Sequence, residues 1–182
     1  MTALCLLLFS CGSKPEPLPV SEPEPDFFHT VVSIDGGKFA PKAVPFLTSK
    51  QGVMDVFLHD RSTVLFPGRS DDRIMRDIVI DGLTWREIFT FHEDLLIAVV
   101  YVTRSETKEE FEEISQRLAK EAEAFMPKEL LMNANGIQAG KGQRTYWRDE
   151  LGGRVTFGFS NTVTREEQPG ISLEIWQESE AG

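Results

Sequence analysis

"LLIAVVYVTRSETKEEFEEISQRLAKEAEAF", Leu95 to Phe125, decides the fold, because two hydrophobic periodicities meet inside it. Leu95 to Val102 is an almost unbroken apolar run between His92-Glu93-Asp94 and Thr103-Arg104-Ser105. Such a run, bounded by polar turn formers, predicts a central strand covered on both faces. From Thr107 the spacing changes. Phe111, Ile114, Leu118, Ala122 and Phe125 recur at helical intervals and draw one apolar stripe. Thr107 and Glu110 form a capping-box pattern at the start. Glu109, Glu110, Glu112 and Glu113 occupy the first turns, where the positive end of the helix dipole favours them. Such an acidic run is read as a solvated helix face rather than a binding face. Pro127 ends or kinks the helix, and Lys128 to Asn133 allows a short second one.

Working outward, strand signals lie on both sides. Ile78 to Ile80, Asp81-Gly82 and Leu83 to Trp85 predict a hairpin, since Asp-Gly suits a type I′ turn. Phe27 to Ile34 is rich in aromatic and β-branched residues and predicts a strand, followed by turn chemistry at Asp35-Gly36-Gly37. Pro41 and Pro45 confine Lys38 to Leu47 to an edge or an irregular arm. Val53 to His59 reads as a strand, with Thr63 to Phe66 returning beside it and Pro67 to Arg73 as a loop. After the helix, Arg144 to Arg148 leads through Leu151-Gly152-Gly153 to two alternating segments, Val155 to Ser160 and Ile171 to Trp176. The expected fold class is α+β: a mainly antiparallel sheet with one long amphipathic helix packed on one face. One globular domain spanning residues 27–182 is expected, with no internal repeat.

The chain has a net charge of −10 and a sequence pI near 4.8. Nucleic-acid binding normally requires a basic stripe and a high pI, so no nucleic-acid partner is expected. The same charge argues against electrostatic docking on anionic lipid.

The N-terminal stretch "LCLLLFSCGSKPEPLP", Leu4 to Pro19, asks a different question. Ala3 to Phe9 lacks any polar residue, yet it is far shorter than the roughly 20 apolar residues that span a bilayer as a helix. A secretory apolar region ending in small residues fits it. Leu8-Phe9-Ser10-Cys11 resembles a bacterial lipobox. In that family a signal peptidase cuts before the cysteine, whose thiol carries a diacylglyceryl group. The resemblance implies a signal peptide at residues 1–10, lipidation at Cys11, membrane lipid as a partner, and a place in the bacterial cell envelope, lipid-anchored at the outer membrane or facing the periplasm. Since Cys5 would leave with the signal and Cys11 would carry lipid, the mature domain would hold no thiol. A disulfide scaffold, cysteine-ligated zinc and a cysteine nucleophile are then excluded. Residues 11–26 complete the picture. Pro15, Pro17, Pro19, Pro23 and Pro25 favour an extended polyproline spacer of about 3.1 Å per residue, a stalk between lipid and domain.

The chemical motifs of the domain resolve poorly. Gly136 to Gly142 (GIQAGKG) resembles a phosphate loop but has the wrong spacing, no hydroxyl residue after its lysine and no helix to follow. His92-Glu93-Asp94 sit consecutively, so neighbours on a strand point to opposite faces and do not share one metal. Asp71, Asp72, Asp77 and Asp81 lack the ligand order of a calcium loop. No GxSxG elbow occurs. Trp85, Trp147 and Trp176 serve either the core or a ligand groove. No catalytic, cofactor-binding or metal residue is assigned, and no cofactor is expected. The sequence therefore predicts a non-enzymatic binding or structural module, whose acidic surface favours a basic envelope protein or peptide. The alternative is an envelope hydrolase with an acid–base pair drawn from His59, Asp60, His92 and Glu93. His29, in the first predicted strand, is assigned a structural role.

Overall fold

The computed structural model describes residues 26–57, 66–67, 72–132, 144–160 and 169–177. The fold is α+β and mostly antiparallel. The chain runs α1 (Phe27–Val31), β1 (Val32–Asp35), β2 (Lys38–Pro41), α2 (Lys50–Phe57), β3 (Phe66–Pro67), β4 (Arg73–Ile80), β5 (Leu83–His92), β6 (Leu95–Arg104) and α3 (Lys108–Phe125). A 3-10 turn at Lys128–Leu130 leads into β7 (Leu131–Met132), β8 (Arg144–Arg148), β9 (Gly153–Ser160) and β10 (Gly170–Gln177). An eight-stranded sheet has the order β3-β4-β5-β6-β10-β9-β8-β7, and β1 pairs with β2 in a separate hairpin.

Register fixes what each face carries. The antiparallel ladders align Ile74, Phe89, Val99, Ile175, Val155 and Trp147 in one row across six strands. All six are buried. The next row on that face runs Arg76, Glu87, Tyr101, Leu173 and Phe157. The short helices supply the aromatic filling above these rows. Phe27 of α1 stacks on Trp85 at 4.0 Å between ring centroids and meets Tyr101 edge-on at 5.9 Å. Phe28 meets Phe157 edge-on at 5.2 Å and Phe125 of α3 at 6.3 Å. Phe57 of α2 lies 5.4 Å from Phe89. Burial of a large apolar side chain contributes about 1.5–3 kcal/mol, so this aromatic layer is a main source of the fold's stability.

Two segments expected as strands begin as helices: Phe27 to Val31 is helical and only Val32 to Ile34 is strand, while Val53 to Phe57 is helical and the rest of that segment lies outside the described residues. At Phe27 the carboxylate of Asp26 accepts the His29 backbone N–H and caps α1, and Phe27, Phe28 and Val31 are all buried. Val53 and Phe57 fall one helical turn apart and are the buried residues of α2. In both cases local aromatic and β-branched preference gives way to a cap or a four-residue burial interval. The Asp81-Gly82 hairpin is present, with φ of 52° and 73° at the two turn residues. Glu93 and Asp94, also at positive φ, make the next turn. The β6 strand sits between β5 and β10, its Leu96, Val99, Tyr101 and Thr103 buried but Val100 and Val102 only half-buried. The expected central position is thus met, while on the second face, where Ala98 is buried, the expected cover is only partial among the described residues. Thr107 caps α3 by accepting the Glu110 N–H at 3.1 Å, and Phe111, Ile114, Leu118 and Ala122 are buried. Pro127 follows its end, and the short element after it is the 3-10 turn rather than a second α-helix.

Asp149 joins the hairpin of β8 and β9 to β2. Its Oδ1 accepts the N–H of Leu151 and Gly153 at 2.9 and 2.8 Å, and its Oδ2 accepts the Phe39 N–H at 2.7 Å. A Cβ at Gly153 would lie 2.3 Å from that carboxylate, so only glycine fits there.

Candidate functional site

Among the described residues, no element stacked on the second face of the sheet matches the aromatic cover of the first. Its rows follow from the same register. Arg73, Thr90, Ala98, Trp176, Arg154 and Arg148 lie side by side on six strands. Met75, Ile88, Val100, Glu174, Thr156 and Tyr146 form the next row. Most of these side chains are half-buried or exposed, with Ala98 and Thr156 buried. Val79 of β4, on the same face, is 72% exposed.

Between β4, β5 and β6 this face holds a groove of about 420 Å³, lined by Asp77, Thr84, Arg86, Ile88, Val102 and Arg104. Asp77 and Arg86 are directly opposed across the β4–β5 ladder. Arg86 donates from Nε to Oδ1 at 2.9 Å and from Nη2 to Oδ2 at 3.0 Å, a two-pronged pair. These hydrogen bonds hold the Asp77 carboxyl below its ordinary range, against the opposing effect of burial, and raise the guanidinium of Arg86. The pair fixes the Arg86 fork at the rim of the groove, above a floor of Ile88 and Val102.

A second polar cluster lies inside the core. Arg76, Glu87 and Tyr101 are neighbours on adjacent strands of the covered face. Arg76 Nε donates to Glu87 Oε2, and the Phe57 ring lies 3.8 Å from the guanidinium carbon. The Glu87 side chain is only 1% exposed, and its Oε1 has no hydrogen-bond partner. Burial, reinforced by the Glu87 carboxylate, pushes the Tyr101 phenol well above its ordinary value. With 1% exposure at Glu87 and Tyr101, this cluster is a structural ion pair without access for a substrate.

Of the residues considered for acid–base chemistry, His29, His92 and Glu93 are described. His59 and Asp60 lie outside the described residues, as do Cys11, the GIQAGKG segment and Asp71. His92 ends β5 and Glu93 begins the turn after it, both exposed. His29 does meet a carboxylate, with Nδ1 2.9 Å from Asp26, but its side chain is 57% exposed and the contact belongs to the α1 cap. Asp77 faces the groove, whereas Asp81 pairs with Arg117 of α3. Among the described residues no three metal-ligating side chains converge. Trp85 and Trp147 are core residues, and Trp176 is on the open face, with Arg154 at 5.8 Å from its ring. No described helix is long and apolar enough to cross a membrane.

The groove and the buried pair escaped the sequence reading, although the hairpin carried the signal. A two-residue turn at Asp81-Gly82 sets Asp77 opposite Arg86 and Arg76 opposite Glu87 by counting outward. Opposite charges at facing positions are an expected cross-strand pair. No protein-family model matches the chain, and no curated protein or solved structure matches it either.

Proposed function

We propose that this chain is a non-enzymatic binding module, carried in the bacterial cell envelope on lipid attached to Cys11 and held off the membrane by the proline-rich residues 12–26. The observation that supports binding is the open face of the eight-stranded sheet, where Trp176, Ile88, Val100 and Val102 are only half-buried. A sheet normally hides its apolar side chains on its covered face, and an apolar surface rimmed by polar groups marks an interaction site. In this reading α3, with its buried stripe from Phe111 to Ala122, covers the opposite face of the sheet and leaves the open face to a partner. The net charge of −10 steers a basic envelope protein or peptide toward the domain at long range.

Two measurements test the reading. Fatty-acid labelling of cells should mark the wild type and leave Cys11→Ala unlabelled; an unlabelled wild type sinks the anchor. The purified protein, screened against basic envelope proteins and in parallel against esterase, peptidase and glycosidase substrates, should bind without turnover. Turnover abolished by replacing His29, His59 or His92 would refute a non-enzymatic module, because loss of a general base typically costs about 10²-fold or more.

A further inference from the structure

The charges on the open face have the opposite sign to the chain as a whole. Among the described residues this face carries Arg73, Arg86, Arg104, Arg148 and Arg154, against the acids Asp77 and Glu174. The chain carries −10. The excess of carboxylates therefore lies elsewhere, and among the described residues arginine is the only cationic side chain on the face. Arginine presents a planar fork suited to a carboxylate, whereas lysine offers a point charge.

We infer that the groove between β4 and β6 binds an acidic peptide in extended form, its carboxylates on Arg86 and Arg104 and its intervening apolar side chains over Ile88 and Val102. This rests on the binding-module reading and assigns a partner to its open face. The geometry supplies the spacing. Arg86 faces Val102 in the ladder, and Arg104 lies two residues further along β6. The two arginines are thus diagonal neighbours about 7–8 Å apart, close to the roughly 6.8 Å that separates alternate side chains of an extended peptide. Asp77 occupies Nε and one Nη of Arg86, which orients the remaining guanidinium edge for a second carboxylate. An extended polyanion or an anionic bilayer fits less well. Either would bring dense negative charge against the carboxylates that give the rest of the chain its −10. A short segment with few carboxylates meets only the arginine face.

The test uses the full chain in neutral detergent and a fluorescent peptide of alternating glutamate and valine. Anisotropy should report binding in about 0.01 M salt that weakens toward 0.15 M as the Debye length falls. Arg86→Gln and Arg104→Gln should each weaken it about tenfold or more, with an unchanged melting temperature showing that the fold is intact. The charge-reversed protein Arg86→Glu/Arg104→Glu should instead capture the lysine–valine version of the peptide. No binding of the acidic peptide, or binding that ignores both arginine substitutions, overturns the assignment. So does arginine-dependent binding to vesicles of anionic phospholipid in preference to the peptide. Basic envelope proteins still bound in any of these cases would leave the binding-module reading standing.

Discussion

The buried pair of Arg76 and Glu87 offers a sharp test of the core. Glu87 is 1% exposed and Arg76 13% exposed at the side chain. Truncating Arg76 to methionine preserves volume but strands the Glu87 carboxylate between Phe89 and the Tyr101 row, with its Oε1 already unpartnered. Breaking a buried pair in this way costs about 3–5 kcal/mol. It also removes the guanidinium that stacks on Phe57, worth about 0.5–2 kcal/mol. Arg76→Met should therefore lose about 3.5–7 kcal/mol, or roughly 7–28 °C in melting temperature for a domain of this size. Glu87→Gln should lose less, about 1–2 kcal/mol, because the more exposed guanidinium reaches water and a hydrogen-bonding oxygen remains. Making the whole row apolar, with Arg76→Met, Glu87→Leu and Tyr101→Phe together, should recover most of the loss, since well-packed apolar replacements of buried pairs are often neutral or stabilising. Urea unfolding followed by tryptophan fluorescence measures all three. An Arg76→Met cost below about 1 kcal/mol, or an apolar triple variant as weak as the single one, would refute the reasoning.

Three further outcomes are expected. Asp149→Ala leaves the N–H groups of Phe39, Leu151 and Gly153 without their acceptor, so urea unfolding should show a loss of about 2–4 kcal/mol. Burial raises the Glu121 carboxyl against the attraction of Arg117, so its stabilising effect is present at pH below the ordinary carboxylate value and is lost as pH rises through the raised one; Glu121→Gln should remove this fall, visible as a flatter melting temperature from pH 4 to 7 than in the wild type. Tyr101, raised chiefly by burial, should show no phenolate absorbance near 295 nm until the fold opens in alkali, and subtracting the titration of Tyr101→Phe isolates it; a Tyr101 signal that appears near pH 10 in the folded state contradicts its burial.

Legibility followed the range of the interaction. The Asp81-Gly82 hairpin, the Thr107 cap, the stripe of α3 and the alternating strands near the C-terminus all rest on residues within a turn or two of each other, and all could be read. Phe27 to Val31 could not. Its β-branched and aromatic side chains predict a strand, but the helix is set by the Asp26 cap and by Trp85, Tyr101 and Phe157, which arrive from far along the chain. Tertiary packing overrides β preference readily, because that preference mostly reports the fit of a side chain to neighbours it expects to meet. The groove failed for another reason. The hairpin places Asp77 opposite Arg86, but Arg104 joins them only through the β5–β6 pairing, whose register shifts at Thr90/Phe91 and cannot be counted from a turn.

The placing of these arginines bears on how net charge is used to infer partners. A total of −10 predicts attraction of cations at distances beyond the size of a patch, where the field of the whole chain is felt. At contact the local surface decides, because charges further away than about 8–10 Å are screened in ordinary salt. On this fold alternation places Arg73 of β4, Arg86 of β5, Arg104 of β6, Arg148 of β8 and Arg154 of β9 on one face, while the acids of α3 sit on a different element. Long-range steering and short-range selection then point to partners of opposite sign on different surfaces. A salt titration separates them. Capture of a basic partner should weaken chiefly through its association rate, whereas the carboxylate–arginine contacts in the groove should change mainly the dissociation rate on substitution. If Arg86→Gln slowed association and left dissociation unaltered, the groove would be a steering patch and not a contact site.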